Sequence, residues 1–204
     1  MWLKPYEIMA LGPRCGMLEV IEDFADISSI KEKLSTKDRY ATLADYFNQQ
    51  FGKKGGKRQK QAVENFINSL AAYSLVCYIL QIKDRHNENI MVNIEGYVCH
   101  IDFGFLLSNA PGKGMKFETA PFKLTQEMVD VMGGAGSDKF RNFRTRMARG
   151  FCALQENAEK LIILIEMMLM GQSDLPCFVG GRPLIRDLKN RIFPTGKRMT
   201  FEEA

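Results

Sequence analysis

Two short stretches of this chain carry the residue types that do chemistry. Lys83-Asp84-Arg85-His86-Asn87-Glu88-Asn89 packs cations, carboxylates, amides and one of the two histidines into a single loop. His100-Ile101-Asp102-Phe103-Gly104 holds the other histidine and a further carboxylate. Neither stretch is specific alone. Their connection makes them informative. Between them lie two short apolar runs, 90–92 and 97–101, around the turn signature Asn93-Ile94-Glu95-Gly96. That pattern predicts a β-hairpin. Antiparallel pairing sets Asn89 opposite residues near Asp102. An amide oxygen and a carboxylate at the open end of a rigid ribbon are hard ligands. They suit Mg²⁺, which takes one or two protein oxygens together with waters and substrate phosphates. A buried Asp–Arg–His network that merely stabilises a turn is the structural alternative.

Several elements must position these loops. Residues 2–11 read as a strand ended by Gly12-Pro13, and 17–21 as a second extended piece. Residues 42–51 form a short helical pattern and 59–80 a long one. In the long pattern Val63, Phe66, Ile67, Leu70 and Cys77 recur at helical spacing. From Leu75 to Leu80 it is apolar all round, so that end is expected to be buried. Thr125 is placed to cap a helix that stops at Gly133-Gly134, and Asp138 to cap another carrying Phe140, Phe143, Met147, Phe151 and Leu154. A helix ending at Gly171 has a wide, Met-rich apolar face, read here as core filling. Residues 183–192 form a last amphipathic helix with Arg186, Lys189 and Arg191 on its polar face. Thr200-Phe201-Glu202-Glu203 has the spacing of a capping box, which announces a helix start.

The chain has 204 residues, 46% hydrophobic and 25% charged, a globular composition with enough length for a real core. The net charge of +4 is too small to make nucleic acid the expected partner. The densest apolar run, Leu161 to Met170, is interrupted by Glu166 and falls short of the ~20 residues a membrane span needs, so no transmembrane helix is expected. The N-terminus has no signal-peptide core. Five scattered cysteines with no C-x-x-C pair argue against a zinc site and against a disulfide framework. The basic segment 52–58 reads as a solvated loop.

The interval from Asp84 to Asn89 is that of the protein-kinase catalytic loop, which also works with a later Asp-Phe-Gly aspartate. With His100-Ile101-Asp102-Phe103-Gly104 it resembles the phosphatidylinositol 3-/4-kinase family. Gln81-Ile82-Lys83-Asp84-Arg85-His86, Phe117-Glu118-Thr119, Phe122-Lys123-Leu124-Thr125, Val131-Met132-Gly133-Gly134 and Leu175-Pro176-Cys177-Phe178 are similar to type III phosphatidylinositol 4-kinases. Gly12-Pro13-Arg14-Cys15-Gly16 leans toward the alpha form over the beta form. One departure is Glu88, where family members commonly have glycine.

The resemblance implies an α+β fold: the mainly helical large lobe of a protein-kinase-like lipid kinase, with the hairpin carrying the catalytic and metal-binding loops. Residues 1–21 would be the last small-lobe strand and the hinge, and 22–204 the large lobe, truncated at both ends, with the small lobe almost entirely absent. ATP and Mg²⁺ would be the cofactors and phosphatidylinositol in membranes the substrate, phosphorylated on its 4-hydroxyl. Glu19 and Val20 of the hinge, with Ile101 and Asp102, would line the ATP site, although 17–21 alone is equally an ordinary strand. Asn89 and Asp102 would hold the metal. Asp84 and His86 would be catalytic, with His86 as base or transition-state stabiliser. Arg85 would be catalytic or structural, and His100 either supports the site or packs the strand. Lys113, Lys116 and Lys123 of the activation loop would read the lipid, and three dispersed lysines suit a headgroup without ring phosphates. The expected setting is cytoplasmic and peripheral to the plasma membrane or Golgi, through adaptor proteins. A protein kinase of the same superfamily and a non-catalytic lobe that binds membrane or a partner are the other readings.

Overall fold

The computed structural model describes residues 1–13, 15–36, 38–109 and 118–204. It is mixed α and β, mostly helical, with two small antiparallel sheets. Strands β1 (Ile8–Gly12) and β2 (Cys15–Leu18) form a two-stranded ribbon. Its apolar side chains, Ile8, Met9, Leu11, Met17 and Leu18 among them, are exposed. The first strand begins later than the sequence pattern predicts, because Pro5 has no N–H to give a ladder. Residues 2–6 instead run along the body of the molecule. Trp2 stacks on Tyr97 with ring centroids 4.3 Å apart, and the Lys4 N–H donates to the Tyr73 hydroxyl at 3.1 Å.

Strand β3 (Phe24–Asp26) pairs with β4 (Ile90–Asn93), and β4 pairs with β5 (Val98–His100). The expected hairpin thus supplies the central strand and one edge strand of a three-stranded sheet. Its Gly96 has φ +90°, and a Cβ there would meet the Ala62 carbonyl oxygen at 2.6 Å. The turn therefore needs glycine both for its backbone and for its close approach to the helix behind it.

Helix α1 (Ile27–Ser35) was not legible in the sequence. Asp26 caps it, accepting from the Ser29 N–H at 2.8 Å, and Ile27, Ile30 and Leu34 are its buried stripe. Helix α2 (Leu43–Phe51) opens on a complete capping box between Thr42 and Asp45. Helix α3 (Lys57–Leu80) is the central element. Four consecutive residues, 70–73, are buried, so neighbours surround it on every side. It is also long and apolar enough to cross a membrane, contrary to expectation, but two thirds of its apolar window is buried inside the fold (67%). Its composition is that of a core helix.

Helix α4 (Gln126–Val131) is capped by Thr125 as expected. Helix α5 (Asp138–Glu156) is capped by Ser137 rather than Asp138. The Ser137 hydroxyl accepts from the Phe140 N–H, and Asp138 becomes the first helical residue, where an acidic side chain suits the helix dipole. Helices α6 (Ala158–Gly171) and α7 (Arg182–Ile192) complete the fold. The Met-rich face of α6 is not core. Leu164 is 59% exposed, Met167 63% and Met168 53%, while Ile162 and Ile165 carry the contact with α7. At the C-terminus the Glu203 carboxylate accepts from the Thr200 N–H, as the capping-box spacing predicts, and the residues form a turn.

Two apolar clusters result. One gathers α1, α2, the sheet, α4 and the first part of α3 around Phe47, Phe66 and Ile67. The other gathers Ile79, Phe151, Phe178 and Leu188 where α3, α5, α6 and α7 meet. Helix α3 crosses both, and its C-terminal end delivers the chain to the loop 83–89.

Candidate active site

Helix α3 ends at Gln81, which is left-handed (φ 52°), and the chain then enters residues 83–89. Two anchors hold this loop. The Lys83 N–H donates to the Phe105 carbonyl at 3.1 Å, and the Ile101 N–H donates to the Asn89 carbonyl at 3.1 Å. The second bond extends the β4–β5 pairing by one step, from Ile90 opposite His100 to Asn89 beside Ile101. Asn89 and Asp102 therefore flank the open end of the hairpin, as the turn spacing predicts.

Asn89 is buried (5% exposed) and its orientation is determined by its neighbours. Its Nδ2 donates to the Asp84 carbonyl at 2.8 Å, a partner that only the amide nitrogen can satisfy. The same nitrogen lies 3.0 Å from His86 Nε2. His86 must therefore accept there, which leaves its proton on Nδ1. The Asn89 Oδ1 then accepts no hydrogen bond among the described residues and is available as a ligand. Asp102 Oδ1 accepts from the Gly104 N–H at 3.1 Å and keeps its other oxygen free of protein donors among the described residues. The two side chains thus offer oxygen atoms of the kind Mg²⁺ prefers. Among the described residues no three His, Cys, Asp or Glu side chains converge as in an all-protein metal cage.

His86 is exposed and lies between two carboxylates. Its Nε2 is 3.9 Å from Asp84 Oδ2, and its Nδ1 is 3.9 Å from Glu88 Oε2. Asp84 and Asp102 share a backbone feature that sequence gives no hint of, since both adopt left-handed φ values, 60° and 58°. Such values are uncommon for non-glycine residues and concentrate where side chains are aimed for function.

Arg85 is buried (4% exposed), whereas His86 next to it is exposed. Its guanidinium donates to the carbonyls of Lys83, Ile101 and Asp102 and lies 5.8 Å over the Phe103 ring. Burial lowers its pKa, against the raising effect of nearby Cys77, Asp102 and Asp84. It is a fork that ties both loops together. Tyr6, missed in the sequence, stacks on Phe103 with centroids 6.1 Å apart. His100 packs inside the strand. It is 2% exposed, stacks on Tyr73 at 4.6 Å and places Nδ1 3.5 Å from the Cys77 sulfur. Burial holds it neutral, its pKa lowered to about 3.

The remaining predicted residues are more dispersed. Glu19 closes the β1–β2 ribbon: its N–H donates to the Glu7 carbonyl and its Oε2 accepts from the Glu7 N–H, both at 2.9 Å. Val20 follows, 81% exposed. The Ile101 carbonyl is taken by Arg85. Lys123 lies with His86, Asn87, Glu88 and Ser28 around a cavity of about 370 Å³, and burial lowers its pKa. Ser28, on α1, carries no sequence signal. Lys113 and Lys116 lie outside the described residues.

Residues 1–178 match the family model described as phosphatidylinositol 3- and 4-kinase. The chain is 46% identical over 193 residues to a phosphatidylinositol 4-kinase of Dictyostelium discoideum, covering 95% of this chain and 16% of that protein. It is 44% identical over 196 residues to phosphatidylinositol 4-kinase beta 2 of Arabidopsis thaliana, covering 94% and 17%. To phosphatidylinositol 4-kinase beta of Danio rerio it is 43% identical over 192 residues, covering 94% and 22%. The chain belongs to the phosphatidylinositol 3- and 4-kinase family. It spans less than a quarter of the length of these relatives. The beta names correct the alpha-like leaning taken from residues 12–16. The described ones, residues 12, 13, 15 and 16, lie at the exposed end of the β1–β2 ribbon, where packing puts little constraint on residue choice.

Proposed function

We propose that this chain is the catalytic large lobe, with the last small-lobe strand and hinge, of a beta-like phosphatidylinositol 4-kinase. The protein would transfer the γ-phosphate of ATP to the 4-hydroxyl of phosphatidylinositol. The observation that carries the reading is the Asp84–Asn89–His86 hydrogen-bond chain beside Asp102 at the end of the hairpin. One amide nitrogen, held by the Asp84 carbonyl, lies 3.0 Å from His86 Nε2.

Asn89 and Asp102 would hold Mg²⁺, which supplies charge neutralisation for the phosphates when bound. The geometry supports the following roles for the other residues. His86 Nε2 is occupied by Asn89, so the ring offers a donor at Nδ1, suited to stabilising the charge of the group in transfer. The Asp84 carboxylate accepts the hydroxyl proton as the ring oxygen bonds to the γ-phosphorus and ADP leaves. Arg85 positions Asp102 through its backbone. The exposed Val20 after β2 would meet the adenine, and Ser28 and Lys123 would face the headgroup at the cavity beside His86. The 4-position and the lipid rest on the names of the relatives, and the association with a cytoplasmic membrane surface on the lipid.

The test is phosphate transfer from Mg·ATP to phosphatidylinositol vesicles, with Asp102→Ala as control and the ring position of the product determined. Transfer to the 4-position, lost in the control, supports the reading. Phosphorylation of a peptide but not the lipid, or absence of Mg·ATP binding by calorimetry, in a protein that carries this chain together with its small lobe, overturns it.

A further inference from the structure

The solvent side of α6 is apolar where a surface helix should be polar. Ile163, Leu164, Met167 and Met168 recur at helical spacing and are exposed, and Met170 continues the stripe at 87% exposure. Beside the stripe runs a groove of about 690 Å³ between α6 and α7, walled by Leu169, Met170 and Ile185. Its rim carries Arg182, Arg186 and Lys189. Glu166 answers Lys189 at 3.3 Å and Asp187 lies 4.0 Å from Arg186, while Arg182 has no ion pair among the described residues.

This face is continuous with the segment that leaves the candidate site. The Ser108 hydroxyl donates to the Cys177 carbonyl at 2.7 Å and accepts from the Gly180 N–H at 3.0 Å. Residues 105–109 are thereby tied to the loop that enters α7, where Val179 is 79% exposed.

We infer that the α6 stripe and the Arg182–Lys189 rim form the surface by which this chain docks on an anionic lipid bilayer. Unbranched methionine side chains adapt to disordered acyl chains, and an interfacial helix seats such a face at the headgroup boundary. Flanking cations gain from anionic headgroups. A second copy fits less well, because it would bring two basic rims together in a chain already at +4. The proposal rests on the lipid-kinase reading for its purpose, since a chain docked this way holds the 105–109 segment at the substrate's surface.

The experiment is flotation of the chain with vesicles of phosphatidylcholine and phosphatidylserine, without phosphatidylinositol or ATP. Its failure is therefore separate from failure of the kinase assay. The wild-type chain is expected to float. Leu164→Glu with Met167→Glu, and separately Arg182→Glu with Arg186→Glu, should lower the bound fraction about tenfold or more. The substituted side chains are exposed, so an unchanged circular dichroism spectrum and melting temperature are expected. The Arg182/Arg186 effect should vanish on phosphatidylcholine alone. A wild-type chain that stays in the aqueous fraction, or variants that float equally, overturns the proposal. So does a dimer in sedimentation velocity that Leu164→Glu converts to monomer, which would assign the face to a second copy.

Discussion

Arg85 shows how much one side chain decides in this site. A lysine would keep the charge but could not fork to the carbonyls of Lys83, Ile101 and Asp102 together. Arg85→Lys should therefore leave buried carbonyls unpaired and cost about 2–4 kcal/mol of stability in urea unfolding, with transfer activity falling in parallel. A change under about 0.5 kcal/mol would mean that the fork is dispensable. For the residues given roles in the proposed transfer, Asp102→Ala should leave no measurable transfer, whereas His86→Ala should retain activity lowered by about 10²–10³-fold. Equal full activity in both would remove the site from where we put it. Cys77 offers a pH signature. Burial pushes its thiol up to about 11 from an ordinary value near 9. The unfolded chain loses this proton first as pH rises, so the contribution of the neutral thiol is complete below pH 9 and is lost between about 9 and 11. Replacing Cys77 by alanine should flatten the alkaline decline of stability over that window, and an unchanged decline would assign it to other groups.

Among the elements, the β4–β5 hairpin does the positioning, and its turn is the sensitive point. Gly96→Ala puts a Cβ against the α3 backbone and a side chain at φ +90°, and should cost more than about 2 kcal/mol. Gly134→Ala has a similar φ of +92° but open space around it, and should cost only about 1 kcal/mol. Thermal melts of the two variants separate crowding from backbone strain. If both lose the same stability, the close approach to α3 is unimportant. Hairpin, α2, α3 and α4 were legible because their periodicity, turn residues and caps are local signals. Helix α1 was not, because its nine residues mix Ser, Lys and Glu with only three buried positions. Strand β3 was missed for a related reason: three residues acquire strand character only from pairing with β4.

For the whole molecule, α3 and α5 run through or against both apolar clusters, and Gln155 stitches the second one to the C-terminal segment. Its Nε2 donates to the Ile192 carbonyl at 2.6 Å and its Oε1 accepts from the Met199 N–H at 2.9 Å. Because the clusters share these helices, unfolding is expected to be a single cooperative transition, with the fluorescence of Trp2 and far-UV circular dichroism following the same urea curve. Two separated transitions would show that the α6–α7 half folds by itself. The apolar stripe of α6 also belongs to this scale, since the same methionines are core or surface according to what packs on them.

Local chemistry along the chain determined much of this protein. The chemically competent loops, the hairpin joining them and the resemblance to lipid kinases are all written in residue types at fixed spacing, because turns, caps and metal ligands depend on near neighbours. Tertiary structure alone decided which of those residues are buried and which are open to solvent. Arg85 and His100 sit in the same motifs as His86 and Asp102, yet both are buried, and His86 alone of the two histidines is open to solvent. It decided the tautomer of His86 as well, through an amide held by the Asp84 carbonyl, and it left the methionines of α6 on the surface. These outcomes depend on which surfaces meet in three dimensions, and residue spacing along one chain does not carry that information.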